Sequence, residues 1–195
     1  MSKKPKALAR VTSVLGWLDS AWKEYWWKKV GFEAAERVSR ESQEVGKKVH
    51  SLIERYVRGD HSELPPTREG VCASHVIQWL AENRVKPLYI EQELIDKALG
   101  LVGHCDLIAE IDSENVILDY KTSKKVSRSY SLQLAAYAFM ANKQLKTQIT
   151  KGIILRVDKD PDAKQQLEVI EYKPLKPYWA VFKAGLIFYK FMLNK

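Results

Sequence analysis

Hydrophobic positions recur with helical spacing through the first part of the chain and with extended spacing from residue 88 onward. Thr12 or Ser13 is placed to cap a helix that runs through Trp17, Trp22, Trp26 and Trp27 toward Val30. A second helix is predicted over 33–58, where Val45, Val49, Leu52, Ile53, Tyr56 and Val57 recur at helical spacing and Gly59 supplies a left-handed stop. A polar loop over 61–66 leads to Thr67. This residue opens a third helix, with Val71, Ser74, Ile77 and Leu80 along one side, that ends before Pro87. Here the period changes. Residues 88–95 and 101–111 read as strands separated by a turn around Gly100, and a four-residue hairpin turn at 112–115 leads to a third strand over 116–121. Helical spacing returns over 129–143, strands over 148–157 and 165–172 flank the polar turn 158–164, and a closing helix covers 177–193. The result is one α/β domain over 1–195, with a mixed central sheet flanked by helices and a short basic tail over 1–10.

Two acids and a lysine interrupt strands that are otherwise apolar: Asp106 in Gly103-His104-Cys105-Asp106, and Asp119 and Lys121 in the strand ending Asp119-Tyr120-Lys121-Thr122-Ser123. A hairpin closing at 112–115 sets Asp106 opposite Lys121 and Ile108 opposite Asp119, so Asp106 and Asp119 become diagonal neighbours on one face. Asp119 and Lys121, two apart on one strand, share that face. Neighbouring carboxylates in a partly buried place are costly unless a cation neutralises them, and hard oxygen ligands suit magnesium or manganese. A buried Asp–Lys pair that only sets register is the plainer alternative. On the second helix His50 stands one turn after Gly46, with Glu54 a further turn along. An imidazole there offers a metal ligand, although a lone histidine is more often a packed or surface residue, and spacing does not decide between them. Gln133 and Tyr137, at i and i+4, either hold a phosphate or the lysine or belong to an ordinary amphipathic helix.

Charge changes the picture of partners. A formal net charge of +8 and a pI near 9.3 favour an anionic partner, of which nucleic acid is the commonest for a basic domain, against a merely solvated lysine-rich surface. Lys47, Lys124, Lys125 and Arg128 are candidates to line a strand-tracking groove, and Trp26, Trp27, Tyr130 and Tyr178 to offer faces for base stacking. Cys72 and Cys105 are too few for a disulfide framework or a four-cysteine iron–sulfur site, which suits a reducing cytoplasm. No apolar run is long enough to cross a membrane, and the start of the chain lacks the apolar core of a secretory signal; organellar targeting stays open.

Taken together, Gly46 to His50, Gly103 to Asp106, Asp119-Tyr120-Lys121-Thr122-Ser123 and Gln133 to Tyr137 resemble, in order and type, the four motifs of the RecB-like exonuclease branch of the PD-(D/E)XK nuclease superfamily. The resemblance implies a restriction-endonuclease-like core and hydrolysis of DNA phosphodiesters with Mg2+ or Mn2+. It implies metal ligation by His50, Asp106, Asp119 and the carbonyl of Tyr120, a catalytic Lys121, and Gln133 and Tyr137 organising the site. Glu54 and Glu93 become possible acids of a surrounding shell or a second ion. Several relatives hold an iron–sulfur cluster on four cysteines, which this chain lacks, and it has no Walker-type phosphate loop. An exonuclease acting on single-stranded DNA or DNA ends, either free-standing or working with a separate helicase or polymerase, is what the likeness suggests. A structure-specific endonuclease and a catalytically silent DNA-binding module are the rivals.

Overall fold

The computed structural model describes residues 8–160 and 162–193; the basic tail over 1–7 and the side chains of Trp22 and Trp26 lie outside the described residues. Its elements are β1 (Ala9–Arg10), α1 (Val11–Leu18), α2 (Ser20–Val30), α3 (Phe32–Val57), α4 (Arg68–Glu82), β2 (Lys86–Asp96), β3 (Leu101–Ile111), β4 (Glu114–Lys121), α5 (Ser129–Gln144), β5 (Lys151–Val157), β6 (Leu167–Tyr172) and α6 (Lys176–Leu193). All six strands join one mixed sheet, with β3–β4, β2–β3 and β5–β6 antiparallel and β1–β3 and β4–β5 parallel. The architecture is α/β, with helices on both faces and a restriction-endonuclease-like core.

Each face of the sheet buries its own core. On one side Ile108, Ile117 and Ile154 pack with Val11, Val14 and Leu15 of α1, with Leu134 to Ala138 of α5, and with Phe182 and Leu186 of α6. On the other, Leu107, Ala109, Val116, Leu118 and Leu155 pack with Val45, Val49 and Ile53 of α3 and with Cys72, Ala73, Val76 and Leu80 of α4. Thr67 caps α4 as predicted, its Oγ1 accepting from the Gly70 amide at 3.3 Å. The buried side of that helix differs from the predicted stripe. Val71 is exposed, because the small residues Cys72 and Ala73 form the contact face and turn the helix by about one position.

The predicted first helix is two helices. Arg10, not Thr12 or Ser13, occupies the N-cap of α1, and the chain bends at Asp19 (φ −86°, ψ 4°) so that α1 lies on α5 while α2 turns toward α3. The hairpin after β3 also departs from expectation. Asp112 (φ 50°) and Ser113 (φ 64°) alone form the turn, a left-handed pair whose twist matches the strands it joins, and Glu114 already pairs with Ile111. The register therefore runs Ile108 opposite Ile117, two residues from the predicted pairing. An even shift keeps Asp119 and Lys121 on their predicted face.

Both cysteines are buried and free. Among the described residues no helix is long and apolar enough to cross a membrane.

Candidate active site

A break in the sheet creates the site. β2 follows one edge of β3 from Leu101 to Glu110, so β1 and β4 must share the other: β1 takes Leu101 and Val102, and β4 takes Leu107 to Ile111. Residues 103–106 are left without a strand partner on that edge. Side-chain alternation slips at the same place, since Leu101 and Cys105 face the α5 core with Ile108, whereas Leu107 and Ala109 face the α3–α4 core. Asp106 sits at the slip. Its carboxylate closes the gap in place of a backbone carbonyl, Oδ2 accepting from the Tyr120 amide at 2.8 Å.

Three ligand groups meet there: His50, Glu91 and Asp106 each offer an atom within 4.8 Å of the others. His50 reaches over from α3, where its Nε2 donates to the Tyr120 carbonyl at 2.8 Å and its Nδ1 lies 3.4 Å from Asp106 Oδ2. The helix comes close because Gly46 lacks a side chain; a Cβ there would stand 3.3 Å from Thr122 Oγ1. Glu91 lies directly across from Asp106 in the β2–β3 register, between the pairs Ile90–Leu107 and Gln92–Cys105, with a left-handed φ of 48°. Burial opposes charge on the His50 ring, but the Asp106 carboxylate outweighs it and lifts the imidazole to about 9. Burial works against ionisation of Asp106 too, yet His50 and the Tyr120 amide keep it below the usual carboxylate range. Glu91 is pushed up to about 7 by burial and by the negative charges of Asp106 and Glu54.

Beside this cluster, on the α5 side of the sheet, Asp119 is ion-paired with Lys121. Asp119 Oδ2 is buried and has no hydrogen bond, so that pairing alone compensates it. Burial, then the nearby Asp106, raises Asp119 to about 6, which leaves it ionised at neutral pH. Lys121 is partly buried, but the two carboxylates more than offset that and hold its proton affinity above the ordinary lysine range. The Tyr130 ring lies under the ammonium, 5.2 Å from centroid to Nζ. Deeper in, Gln133 Nε2 donates to Tyr137 Oη at 3.2 Å, and burial keeps that phenol neutral. Gly103 makes room for Tyr137: a Cβ there would stand 2.5 Å from Cε1 of the ring.

A family model described as the PD-(D/E)XK nuclease superfamily matches residues 24–185, a span that includes all of these groups. The chain belongs to the PD-(D/E)XK nuclease superfamily. No curated protein matches it in sequence. Solved structures similar to it include SSO0001, 17% identical over 98% of this chain and 78% of that one at a TM-score of 0.49. An alkaline exonuclease from Laribacter hongkongensis is 10% identical over 60% and 67% at 0.38. A phage-related exonuclease from Haemophilus somnus 129PT is 9% identical over 70% and 77% at 0.36. Likeness at this level adds nothing to what the family match shows.

PD-(D/E)XK nucleases use divalent metal ions, and the donors present fit one: an imidazole and two carboxylates in mutual reach, with a buried Asp119 oxygen nearby that has the Lys121 ion pair but no hydrogen bond. Of the residues expected from sequence, His50, Asp106, Asp119, Tyr120 and Lys121 come together at the sheet break. His50 and the Tyr120 carbonyl, both expected as ligands, are bonded to each other. Asp106 lies 3.4 Å from His50 Nδ1 and its charge is felt at Asp119. Glu93 does not join the cluster; it is exposed and pairs with His104, and Glu91 takes the place expected of it. Glu54 pairs with Arg58 at 2.8 Å and reaches the cluster only through its charge on Glu91. Counting back from a four-residue turn at 97–100 would have found Glu91, because Asp96 opposite Leu101 puts residue 91 opposite 106. Lys47, Lys124, Lys125 and Arg128 are exposed and have no ion-pair partner among the described residues.

Proposed function

We propose that this chain hydrolyses DNA phosphodiesters, that a magnesium or manganese ion is held by His50, Glu91, Asp106, Asp119 and the Tyr120 carbonyl, and that it works as an exonuclease on single-stranded DNA or DNA ends. The observation that carries the reading is the meeting of His50, Glu91 and Asp106 within 4.8 Å at an open place in the sheet, next to the Asp119–Lys121 pair. A divalent ion in that place supplies Lewis-acid chemistry, neutralising charge at the scissile phosphate and lowering the proton affinity of water. Lys121, fixed by Asp119 and supported by the Tyr130 ring, sets a positive charge where negative charge grows on the phosphoryl oxygens. Asp106 keeps the Tyr120 amide satisfied and so holds the Tyr120 carbonyl and the Lys121 stem in register. Gln133 and Tyr137, bonded to one another and buried, form a neutral polar wall behind Asp119. The preference for ends rests on the likeness of the four motifs to stand-alone RecB-like exonucleases.

The test is a time course on end-labelled single- and double-stranded DNA and on circular single-stranded DNA, with either metal or with chelator. Metal-dependent release from linear single strands, circles left intact, and loss of cleavage but not of DNA binding in Asp119→Ala support the reading. Cut circles would make the enzyme an endonuclease. No cleavage of any substrate with either metal would leave a DNA-binding module.

A further inference from the structure

Away from the metal donors, three loops are fastened together at the ends of the parallel strands β4 and β5. α4 begins at Arg68, and one turn later Cys72 Sγ donates to the Asp158 carbonyl at 3.6 Å, bringing the chain after β5 against the start of that helix. Arg156, 7% exposed, ties this corner to the segment after β4. Its Nη1 donates to Asp158 Oδ2 at 3.2 Å and to the Ser123 carbonyl at 2.8 Å, and its Nε to Glu168 Oε2 at 2.7 Å. Those bonds gather Arg68, Lys159 and Lys124, from three different segments, at one corner.

None of the three cations has an ion-pair partner among the described residues. Of the acids near them, Glu69 pairs with Lys48 at 3.8 Å and Glu168 with Arg156, while Asp158, paired with Arg156 at 3.2 Å, is the one whose charge also reaches Lys124 and Lys159. Burial, with the charges of Arg68 and Lys124, holds the half-buried Lys159 below the ordinary lysine range. Three cations and Arg156 share the one Asp158 carboxylate, and like charges in such excess raise the energy of the folded chain until a further anion arrives. Lys124 follows Lys121 by three residues, at most about 10 Å of chain.

We propose that Arg68, Lys124 and Lys159 form a phosphate site that grips the backbone of the DNA strand next to the phosphate being cut. That the anion is a nucleic-acid backbone rests on the nuclease reading; the gathering of unpaired cations does not. Because Arg68 and Lys124 are exposed, Lys159 is partly so, and the corner is built from three segments, it suits a strand passing over it.

The experiment measures binding of a fluorescent single-stranded oligodeoxynucleotide in chelator across a salt series, so cleavage plays no part in it. Wild type is compared with the Arg68→Gln/Lys124→Gln/Lys159→Gln triple variant and with a charge-matched control, Lys146→Gln/Lys176→Gln/Lys183→Gln, on other surfaces. Three phosphate contacts at about 0.7 each for single strands predict a salt slope shallower by about 2, and affinity lower on the order of 100-fold near 0.1 M salt. The control should lose far less, and the triple variant should melt no earlier than wild type, since repulsion is removed. Equal losses in the triple variant and the control would overturn the site. So would unchanged binding by a folded triple variant. A wild type that binds as described but cuts nothing would sink the nuclease reading while leaving the site standing.

Discussion

Metal uptake by this protein should release protons, and the number follows from the cluster. His50 is lifted to about 9 and its Nε2 donates to the Tyr120 carbonyl, so the ring is cationic at neutral pH. A cationic imidazole cannot ligate an ion, so that proton must leave. Glu91, at about 7, is part protonated in the same range. At pH 7.5 the ring gives up nearly a whole proton and Glu91 roughly a quarter, so about one proton is displaced per ion bound. Affinity should then rise about tenfold per pH unit between 7 and 9, more steeply below 7, and level off above 9. Calorimetric titration of Mn2+ in buffers of different ionisation heat at pH 7.5 reads the proton count directly. His50→Gln should cut it to roughly 0.2. Heats that do not depend on the buffer, together with an affinity flat from pH 6 to 9, would refute the argument and remove His50 from the ligand set.

Glu91→Gln should weaken Mn2+ binding by at least about tenfold while Glu93→Gln leaves it within about twofold; the reverse order would restore the original expectation for Glu93. The chelated protein should lose stability as pH rises. His50, raised from 6.5 to about 9, contributes fully below 6.5 and loses its contribution as pH passes 9; Glu91, raised from 4.5 to about 7, favours its acid form and loses its contribution on the way up through 7. At about 1.4 kcal/mol per unit the histidine accounts for up to about 3 kcal/mol and the partly exposed Glu91 for about 1, so the melting temperature in chelator should fall from pH 5 to 9, and a rise would contradict it. Gly103→Ala should cost about 1–3 kcal/mol, because its Cβ meets the buried Tyr137 ring at 2.5 Å and Val11 Cγ2 at 3.1 Å. An unchanged unfolding midpoint would show that the ring has room to give.

Much of the site was readable without coordinates because strands alternate with period two. Asp119 and Lys121 share a face whatever the turn before them does, and an error of two residues in the hairpin left that face intact. Helix positions behaved likewise where large apolar residues marked the buried side, as Val45, Val49 and Ile53 do on α3, and failed on α4, where small residues carry the contact.

What the sequence determined by itself were the local quantities: the order of helices and strands, the Thr67 cap, the alternation that pairs Asp119 with Lys121, and a cationic balance suited to nucleic acid. What only the tertiary structure decided depends on how edges are shared. Two strands, β1 and β4, occupy one edge of β3 and leave a gap that Asp106 fills beside His50; the register of β2 on the other edge brings Glu91 into the cluster, and the bonds of Arg156 and Cys72 at the ends of β4 and β5 bring Arg68, Lys124 and Lys159 together with no ion-pair partner among the described residues. Hydrogen-bond partners and electrostatic neighbours come from distant parts of the chain, and no periodicity within a segment carries them.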